Sequence, residues 1–196
     1  MTPLCTFLTP SRFRPARLIA SVASIEKTAP REAYRIHVRS SEDDPPTIAA
    51  GEQLLREKRI DLHIVRPHLG YHNMHVAWSE LLPVTTPWMW VWSDDTLLHG
   101  DWVKALSAIS PHEAICHAQT VTNNASRYHN CLGGPFPVVP SDVLVTLGLS
   151  TFPAPIDTGL DERLRLERGW QTHFLPNVTV QHDRLVDTLL QERGAT

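Results

Sequence analysis

Apolar and polar positions along the first 110 residues follow a repeated pattern of one strand and then one helix. Short apolar or alternating runs predict strands, and runs with apolar residues three or four positions apart predict helices. The predicted strands are Leu4–Leu8, Tyr34–Val38, Ile60–Val65 and Trp88–Trp92, and the predicted helices begin at Pro15, Ile48 and Tyr71. A polar loop closed by prolines is expected at 40–46. Strands that alternate with helices predict an α/β fold with a parallel sheet.

The second half of the chain has a less regular pattern. It predicts a strand at Ala114–Thr120, helices at Ser141–Leu147 and Gly159–Arg168, and two strands, Trp170–Leu175 and Val178–His182, which are separated by a turn. Gly169 stands where a glycine ends many helices. No segment resembles a linker, so we expect one domain.

Composition and charge exclude several classes of protein. The 196 residues are 42% hydrophobic and 20% charged, with a formal net charge of -3. This composition is typical of a soluble globular protein, and it lacks the basic excess of a general nucleic-acid-binding protein. Three scattered cysteines argue against a disulfide framework, and no signal-peptide pattern or apolar run of ~18 residues is present. We therefore expect a cytoplasmic protein without a membrane span.

The strand at Trp88–Trp92 ends in Ser93, Asp94 and Asp95. Ligands of α/β sheets bind at the C-terminal ends of the strands. Adjacent carboxylates there would repel each other, and bound Mg²⁺ or Mn²⁺ would relieve that repulsion. The alternative interpretation is that the acids only begin a turn.

Four other groups of residues have the chemistry of a site. Asp161 at a helix start could act as a general base, although the helix dipole favours acids there without any function. His182, after the last predicted strand, could complete a metal site. A cluster of cations near the N-terminus could face an anionic ligand, and a histidine cluster has helical spacing but lacks the glutamate of a zinc protease motif. These clusters are Arg12, Arg14 and Arg17, and His68, His72 and His75.

Taken in order, these segments resemble a GT-A glycosyltransferase of the family-two group, whose enzymes use nucleotide-sugars. The resemblance extends over roughly residues 4–184. It rests on the opening strand and its Pro-Ser-Arg turn, on acids after the second strand, on a glycine after the third, on an Asp-x-Asp-like position, on an acidic helix and on a late histidine. These segments are Phe7–Pro15, Glu42–Asp44, Gly70, Ser93–Asp95, Asp161–Leu164 and His182.

The resemblance implies a single GT-A-like domain with a central, mostly parallel sheet flanked by helices. Residues 1–110 would form the nucleotide-binding half, 111–185 the acceptor and catalytic half, and 186–196 a C-terminal tail. The implied nucleotide contacts are Pro10, Ser11, Arg12, Asp44, Arg66 and Asp94; the implied ligands of Mn²⁺ or Mg²⁺ are Asp95 and His182; and the implied catalytic base is Asp161.

Two departures from the family pattern bear on these roles. Ser93 stands at the first acidic position of the signature, and Leu160 replaces the usual glutamate before the base. The first departure leaves open how Asp94 and Asp95 divide their roles, and we assign the metal to Asp95 and the ribose or a supporting role to Asp94.

The implied function is a metal-dependent, inverting glycosyltransferase of hexosyltransferase type. It would move a sugar from a nucleotide-sugar, UDP-sugars ranking first, to an acceptor hydroxyl. A glycan or small-molecule acceptor ranks first and the modified bases of phage DNA second. A nucleotidyltransferase is disfavoured because the turn at Thr9–Arg12 lacks glycine. A non-catalytic GT-A-like binding module would be consistent with Ser93 and Leu160.

Overall fold

The computed structural model describes residues 2–66, 74–122, 136–143 and 156–182. The strands in these ranges are β1 Cys5–Pro10, β2 Tyr34–Ser41, β3 Asp61–Val65, β4 Trp88–Val91, β5 Thr96–His99, β6 Ala114–Thr122, β7 Val138–Pro140 and β8 Gln171–His182. The helices are α1 Pro15–Thr28, α2 Pro45–Arg56, α3 Met74–Ser79, α4 Trp102–Ser107 and α5 Ile156–Arg168, and a short 3-10 turn, Arg31–Ala33, precedes β2.

The described strands form one mixed sheet of eight strands, in the order β3-β2-β1-β4-β7-β6-β8-β5. β3, β2, β1 and β4 run parallel to one another, as predicted from the alternation of strands and helices. β7 runs antiparallel between β4 and β6, β8 is parallel to β6, and β5 is antiparallel to β8. The predicted α/β class with a sheet flanked by helices is confirmed, and the C-terminal ends of β1, β2 and β4 meet at one edge.

Prolines begin two helices at this edge. Pro15 opens α1, and Pro45 with Pro46 opens α2. Proline suits the first helical turn because it lacks the N–H that would have no partner there. The predicted loop at 40–46 is therefore wrong in its bounds: β2 extends through Ser41, and the two prolines start a helix instead of closing a loop.

The sheet buries apolar side chains on both faces. One face holds a cluster of aromatic rings in which Phe7 stacks on Trp90 with ring centroids 5.1 Å apart, and Trp92 and Trp102 pack edge-on against it. The other face packs Leu8 and Met89 against residues of α3 and α5. All four residues of β4 are buried, which agrees with its continuous apolar pattern. Cys5 in β1 and Cys116 in β6 are buried free thiols.

The second half differs from its prediction in two ways. β8 is one strand of 12 residues instead of two, with Asn177 at a φ of 60° and a register shift against β6 between His117 and Gln119. Pairing with β6 resumes at Thr179 in the new register, so β8 continues past this irregularity without ending. The short strands β5 and β7 were not predicted. Gly169 does follow α5 in a left-handed conformation, as predicted, with a φ of 70°.

Several predicted features extend beyond the described residues. The helix expected at 71–82 is described from Met74 to Ser79, and the helix expected at 141–147 is described only for its turn at 141–143. The predicted tail, Gly70, His68 and His72 lie outside the described residues, as does the side chain of His75. None of the helices in the described part of the chain combines the length and the apolar character needed to cross a lipid bilayer.

Candidate active site

The acidic pair lies where β4 ends, beside the turn that follows β1. Ser11 Oγ donates a hydrogen bond of 2.7 Å to Asp94 Oδ2. Arg14 extends from the start of α1 across both acids: its Nη2 is 2.8 Å from Asp94 Oδ1, and its Nη1 is 3.0 Å from Asp95 Oδ2. Ser93 Oγ donates to Asp95 Oδ1 at 2.5 Å. Residues that are about 80 positions apart in the sequence thus form one polar cluster at the edge of the sheet.

Buried hydrogen bonds fix the backbone of this loop to α1 and α3. Trp92 Nε1 donates to Ser21 Oγ at 2.8 Å, and Ser21 Oγ lies 3.4 Å from the carbonyl oxygen of Ser93. Trp78 Nε1 donates to the carbonyl oxygens of Leu8 and Trp92 at 3.1 and 3.0 Å. Because each indole N–H and each carbonyl is satisfied where water is excluded, the ends of β1 and β4 are held side by side.

The two adjacent acids occupy different environments. The side chain of Asp94 is fully buried, and that burial raises the pKa of Asp94 to about 7, against the opposing charge of Arg14. Asp95 is 12% exposed. Burial alone would raise the pKa of Asp95 too, but the hydrogen bond and charge of His182, with Arg14 and Ser93, outweigh burial and hold that pKa well below its ordinary value. Asp95 is therefore the acid that is ionised at neutral pH and reaches solvent.

His182 approaches Asp95 from the other half of the sheet. The register of β5 against β8 places His182 opposite Thr96, one residue after Asp95. Its Nε2 lies 3.5 Å from Asp95 Oδ2, and its ring packs edge-on against Phe136 with centroids 5.2 Å apart. The structure brings together Asp95 and His182, the two residues predicted to share a metal ion.

The Asp95 and His182 pair is compatible with a divalent ion. A carboxylate oxygen and an imidazole nitrogen at this separation can both reach one ion at ordinary ligand distances of about 2.1 Å. Within the described ranges, no group of three or more His, Cys, Asp or Glu residues is placed to hold a metal. The described residues thus offer two ligands, and a Mn²⁺ or Mg²⁺ ion here would take its remaining ligands from water or from a bound phosphate.

Asp44 is buried and caps α2, which the order of residues in the sequence does not reveal. Its side chain caps α2 by accepting from Thr47 N at 3.1 Å, and it also accepts from Phe13 N. The residue is fully buried. Its neighbour Asp43 is the acid that faces outward, paired with Arg12 at 2.6 Å, and each of these two side chains is more than a third exposed.

Phe13 contacts both Asp44 and Arg12. Its φ is 56°, a left-handed conformation that a bulky residue rarely adopts, and its backbone N–H is held by Asp44. The side chain is 48% exposed, with the Arg12 guanidinium 4.7 Å from the ring centroid. Such strain is typical of functional loops, and it presents an aromatic face to solvent at the edge of the sheet.

Two assigned residues are described only in part. The carbonyl oxygen of Arg66 accepts from the buried side chain of Arg39 at 3.2 Å, and Arg66 itself is exposed. The backbone of Asp161 lies in α5, and its side chain is outside the described part of the chain.

Sequence reasoning missed the place of Arg14. The sequence identifies the arginines near the N-terminus as a group of cations, but it does not show that one of them pairs with the acids. The available signal was its position directly before Pro15, which puts the side chain at the N-terminal end of α1 and at the same edge as Asp94.

Solved structures similar to this one agree with the architecture. A mannosyltransferase from Pyrobaculum calidifontis, PcManGT, in complex with GDP-Man and Mn²⁺, matches with a TM-score of 0.69 at 15% identity, over 93% of this chain and 57% of the other. TarS from S. aureus, in complex with UDP-GlcNAc, matches with a TM-score of 0.72 at 11% identity, over 93% of this chain and 59% of the other. The chain has the GT-A glycosyltransferase fold.

The match has defined limits. This chain spans less than 60% of the length of either similar chain. No protein-family profile matches the sequence, and no curated protein matches it. The GT-A fold predicted from the order of motifs is confirmed, and the resemblance to the family-two group is supported at the level of the fold.

Proposed function

We propose that this protein transfers a sugar from a nucleotide-sugar donor to an acceptor hydroxyl, with a divalent metal ion. The observation that carries the proposal is the convergence of Asp95 and His182 at the C-terminal edge of a GT-A sheet, next to the Ser11–Arg14 turn. The similar structures bind GDP-Man and UDP-GlcNAc. A hexose linked to a nucleoside diphosphate, with UDP ranking before GDP, is therefore the proposed donor.

The donor site is assigned from exposure and charge. Asp95 and His182 would hold Mn²⁺ or Mg²⁺, which when bound neutralises charge on the leaving diphosphate. Arg12, Phe13 and Asp43 form the exposed surface at the end of β2, where an aromatic ring and a paired acid suit a nucleobase and a ribose. Asp94 positions Ser11 by accepting its hydrogen bond and positions Arg14 by forming an ion pair with it.

In the proposed chemical step, Asp161 is the base. It would take the proton of the acceptor hydroxyl while the oxygen attacks the anomeric carbon on the side opposite the diphosphate. The carbon–oxygen bond to the diphosphate breaks as the new bond forms, so configuration at that carbon inverts. The location of α5 on the same sheet face as Leu8, which lies two residues before the end of β1, is consistent with this role.

The acceptor is proposed to be a glycan or a small molecule. Arg163, one of the basic residues that a DNA acceptor would engage, pairs with Glu167 at 3.2 Å one helical turn away. This ion pair is typical of a solvated helix face. Modified DNA remains the second candidate because the last turn of α5 carries Arg165 and Arg168.

Calorimetric titration tests the donor site. UDP and GDP are titrated into the protein with Mn²⁺ and again with EDTA, and the series is repeated on Asp95→Ala. We expect binding that requires Mn²⁺ and is lost in Asp95→Ala. Asp61→Ala is the matched control, because Asp61 is a largely exposed acid on the edge strand β3. Failure of a folded protein to bind any nucleotide would favour a non-catalytic module.

The base is tested separately from binding. Asp161→Asn is expected to lower the transfer rate at least about 100-fold and to leave Mn²⁺-dependent nucleotide affinity unchanged. The readout is release of nucleoside diphosphate in the presence of a panel of sugar acceptors. Near-wild-type transfer by Asp161→Asn would remove Asp161 from this role without affecting the assignment of the donor site.

A further inference from the structure

Arg14 occupies the space between the two acids of the candidate metal site. Its guanidinium lies within 3.0 Å of one oxygen of each carboxylate, and the side chain is 22% exposed. The oxygen of Asp95 that it contacts, Oδ2, is the one that faces His182. A protein side chain therefore already provides a positive charge at the point where a divalent ion would bind.

This contact lowers the attraction of the site for a free cation. Arg14 offsets one unit of negative charge in this pair of acids, and it competes for Asp95 Oδ2, the proposed ligand atom. Asp94 is poorly placed to replace that atom, because its side chain is fully buried, its Oδ2 accepts from Ser11 and its Oδ1 forms an ion pair with Arg14. In the described ranges the protein offers only Asp95 and His182 as ligands in this cluster.

We infer that Arg14 makes metal binding dependent on the nucleotide diphosphate, so that the site takes up the ion and the diphosphate together and binds the ion alone only weakly. The inference rests on the proposed function. A diphosphate supplies the negative charge that Arg14 has cancelled and the oxygen ligands that the protein lacks. The guanidinium then faces phosphate oxygens as well as carboxylates, which suits its planar set of donors.

The deciding experiment titrates Mn²⁺ alone into the full chain and follows free Mn²⁺ by electron paramagnetic resonance. Arg14→Gln is expected to bind Mn²⁺ alone at least about tenfold more tightly than the wild type, because a neighbouring positive charge is removed. Arg14→Lys keeps the charge and should remain near the wild-type affinity. Arg56→Gln is the matched control, since Arg56 is exposed on α2 and contacts only Glu52 at 3.9 Å among the described ion pairs.

A second arm repeats the titrations with UDP or GDP present. With nucleotide present, the wild type should bind Mn²⁺ at least about tenfold more tightly than the nucleotide binds it without protein. The same gain should be smaller in Arg14→Gln. Circular dichroism verifies folding, and Arg14→Met, which keeps most of the apolar stem, replaces Arg14→Gln if the latter unfolds.

The outcomes separate the inference from the proposed function. Equal Mn²⁺ affinity in folded Arg14→Gln and wild type overturns the role of Arg14, even when nucleotide binding supports a glycosyltransferase. If no nucleotide binds, the proposed function fails in its own titration. The inference then fails as well, because the second arm shows no enhancement in the wild type.

Discussion

The two halves of the sheet contribute to the candidate site in different ways. In the half formed by β1 to β4, the described site side chains follow directly after buried parallel strands, and hydrogen bonds from α1 and α3 hold them. In the half formed by β5 to β8, the described contribution to the acidic cluster is His182, whose place depends on pairing with both β6 and β5. The acidic loop is built from local units, whereas completion of the candidate metal site requires long-range assembly.

The largest expected effect comes from breaking the link between these halves at Trp90. Its ring packs in the aromatic cluster of the first half, and its Nε1 donates at 3.0 Å to the carbonyl oxygen of Phe136, whose ring contacts His182. Trp90→Ala should lower the free energy of unfolding by about 3–5 kcal/mol. Urea denaturation measures the change, with Trp90→Phe as a milder variant. A loss below about 1 kcal/mol would contradict the central role of this cluster.

The next effect tests how the first half holds its acidic loop. Ser21→Ala removes the acceptor of the buried Trp92 N–H, which should cost about 1–3 kcal/mol of unfolding free energy. Ser79→Ala is the control, because Ser79 Oγ bonds to Val76 within α3 and its loss should cost less than about 0.5 kcal/mol. Equal effects in the two variants would show that the bond between α1 and Trp92, directly after β4, is dispensable.

A smaller effect is expected when the second half of the sheet loses its proposed contribution to metal binding. His182→Gln should weaken Mn²⁺-dependent nucleotide binding at least about tenfold, which corresponds to about 1.4 kcal/mol. Calorimetry in the presence of Mn²⁺ gives this affinity. His173→Gln tests the same substitution elsewhere on β8, opposite Cys116 of β6, and should bind nucleotide like the wild type. Unchanged affinity in His182→Gln would leave Asp95 as the sole described ligand.

The smallest expected effect is on the pH dependence of stability, and it involves His63 of β3 instead of the acidic loop. Burial, and then the neighbouring His37, lower the pKa of His63 from its ordinary value of 6.5. The folded protein therefore binds this proton less tightly than the unfolded chain, so stability falls as the pH decreases below 6.5. In His63→Gln the loss of unfolding free energy between about pH 7 and pH 5 should be smaller. Urea denaturation at both values checks this, and an unchanged slope would assign the effect to other groups.

The sequence predicts most of the first half because its patterns are local. Trp88–Trp92 is apolar throughout and lies in a strand covered on both faces, and Pro15 begins a helix as its missing N–H requires. The second half is harder because pairing decides it. Pro176 and Asn177 look like a turn between strands, yet β6 pairs with β8 before them, up to Phe174, and again after them, from Thr179, so β8 stays in the sheet as one strand. β7, with three residues, is too short to show any periodicity.

The residues of the candidate site also differ in whether local sequence patterns can predict them. Ser11, Asp94 and Asp95 could be singled out because each follows a recognisable strand. The pairing of Arg14 with both acids could not, because it depends on how the start of α1 approaches a loop about 80 residues away. The order of Glu42, Asp43 and Asp44 does not show which acid is buried as the cap of α2. The role of Asp161 stays a prediction.

The two buried thiols provide separate reporters for these halves. Burial raises the pKa of Cys116 to about 12 and also raises the pKa of Cys5, so neither residue carries a reactive thiolate at neutral pH while the fold is closed. An alkylating reagent should therefore modify each thiol only when its strand opens to solvent. Because Cys5 lies in β1 and Cys116 in β6, the relative labelling rates of the two, read by peptide mass spectrometry, would reveal whether the sheet opens as one cooperative unit or one half at a time.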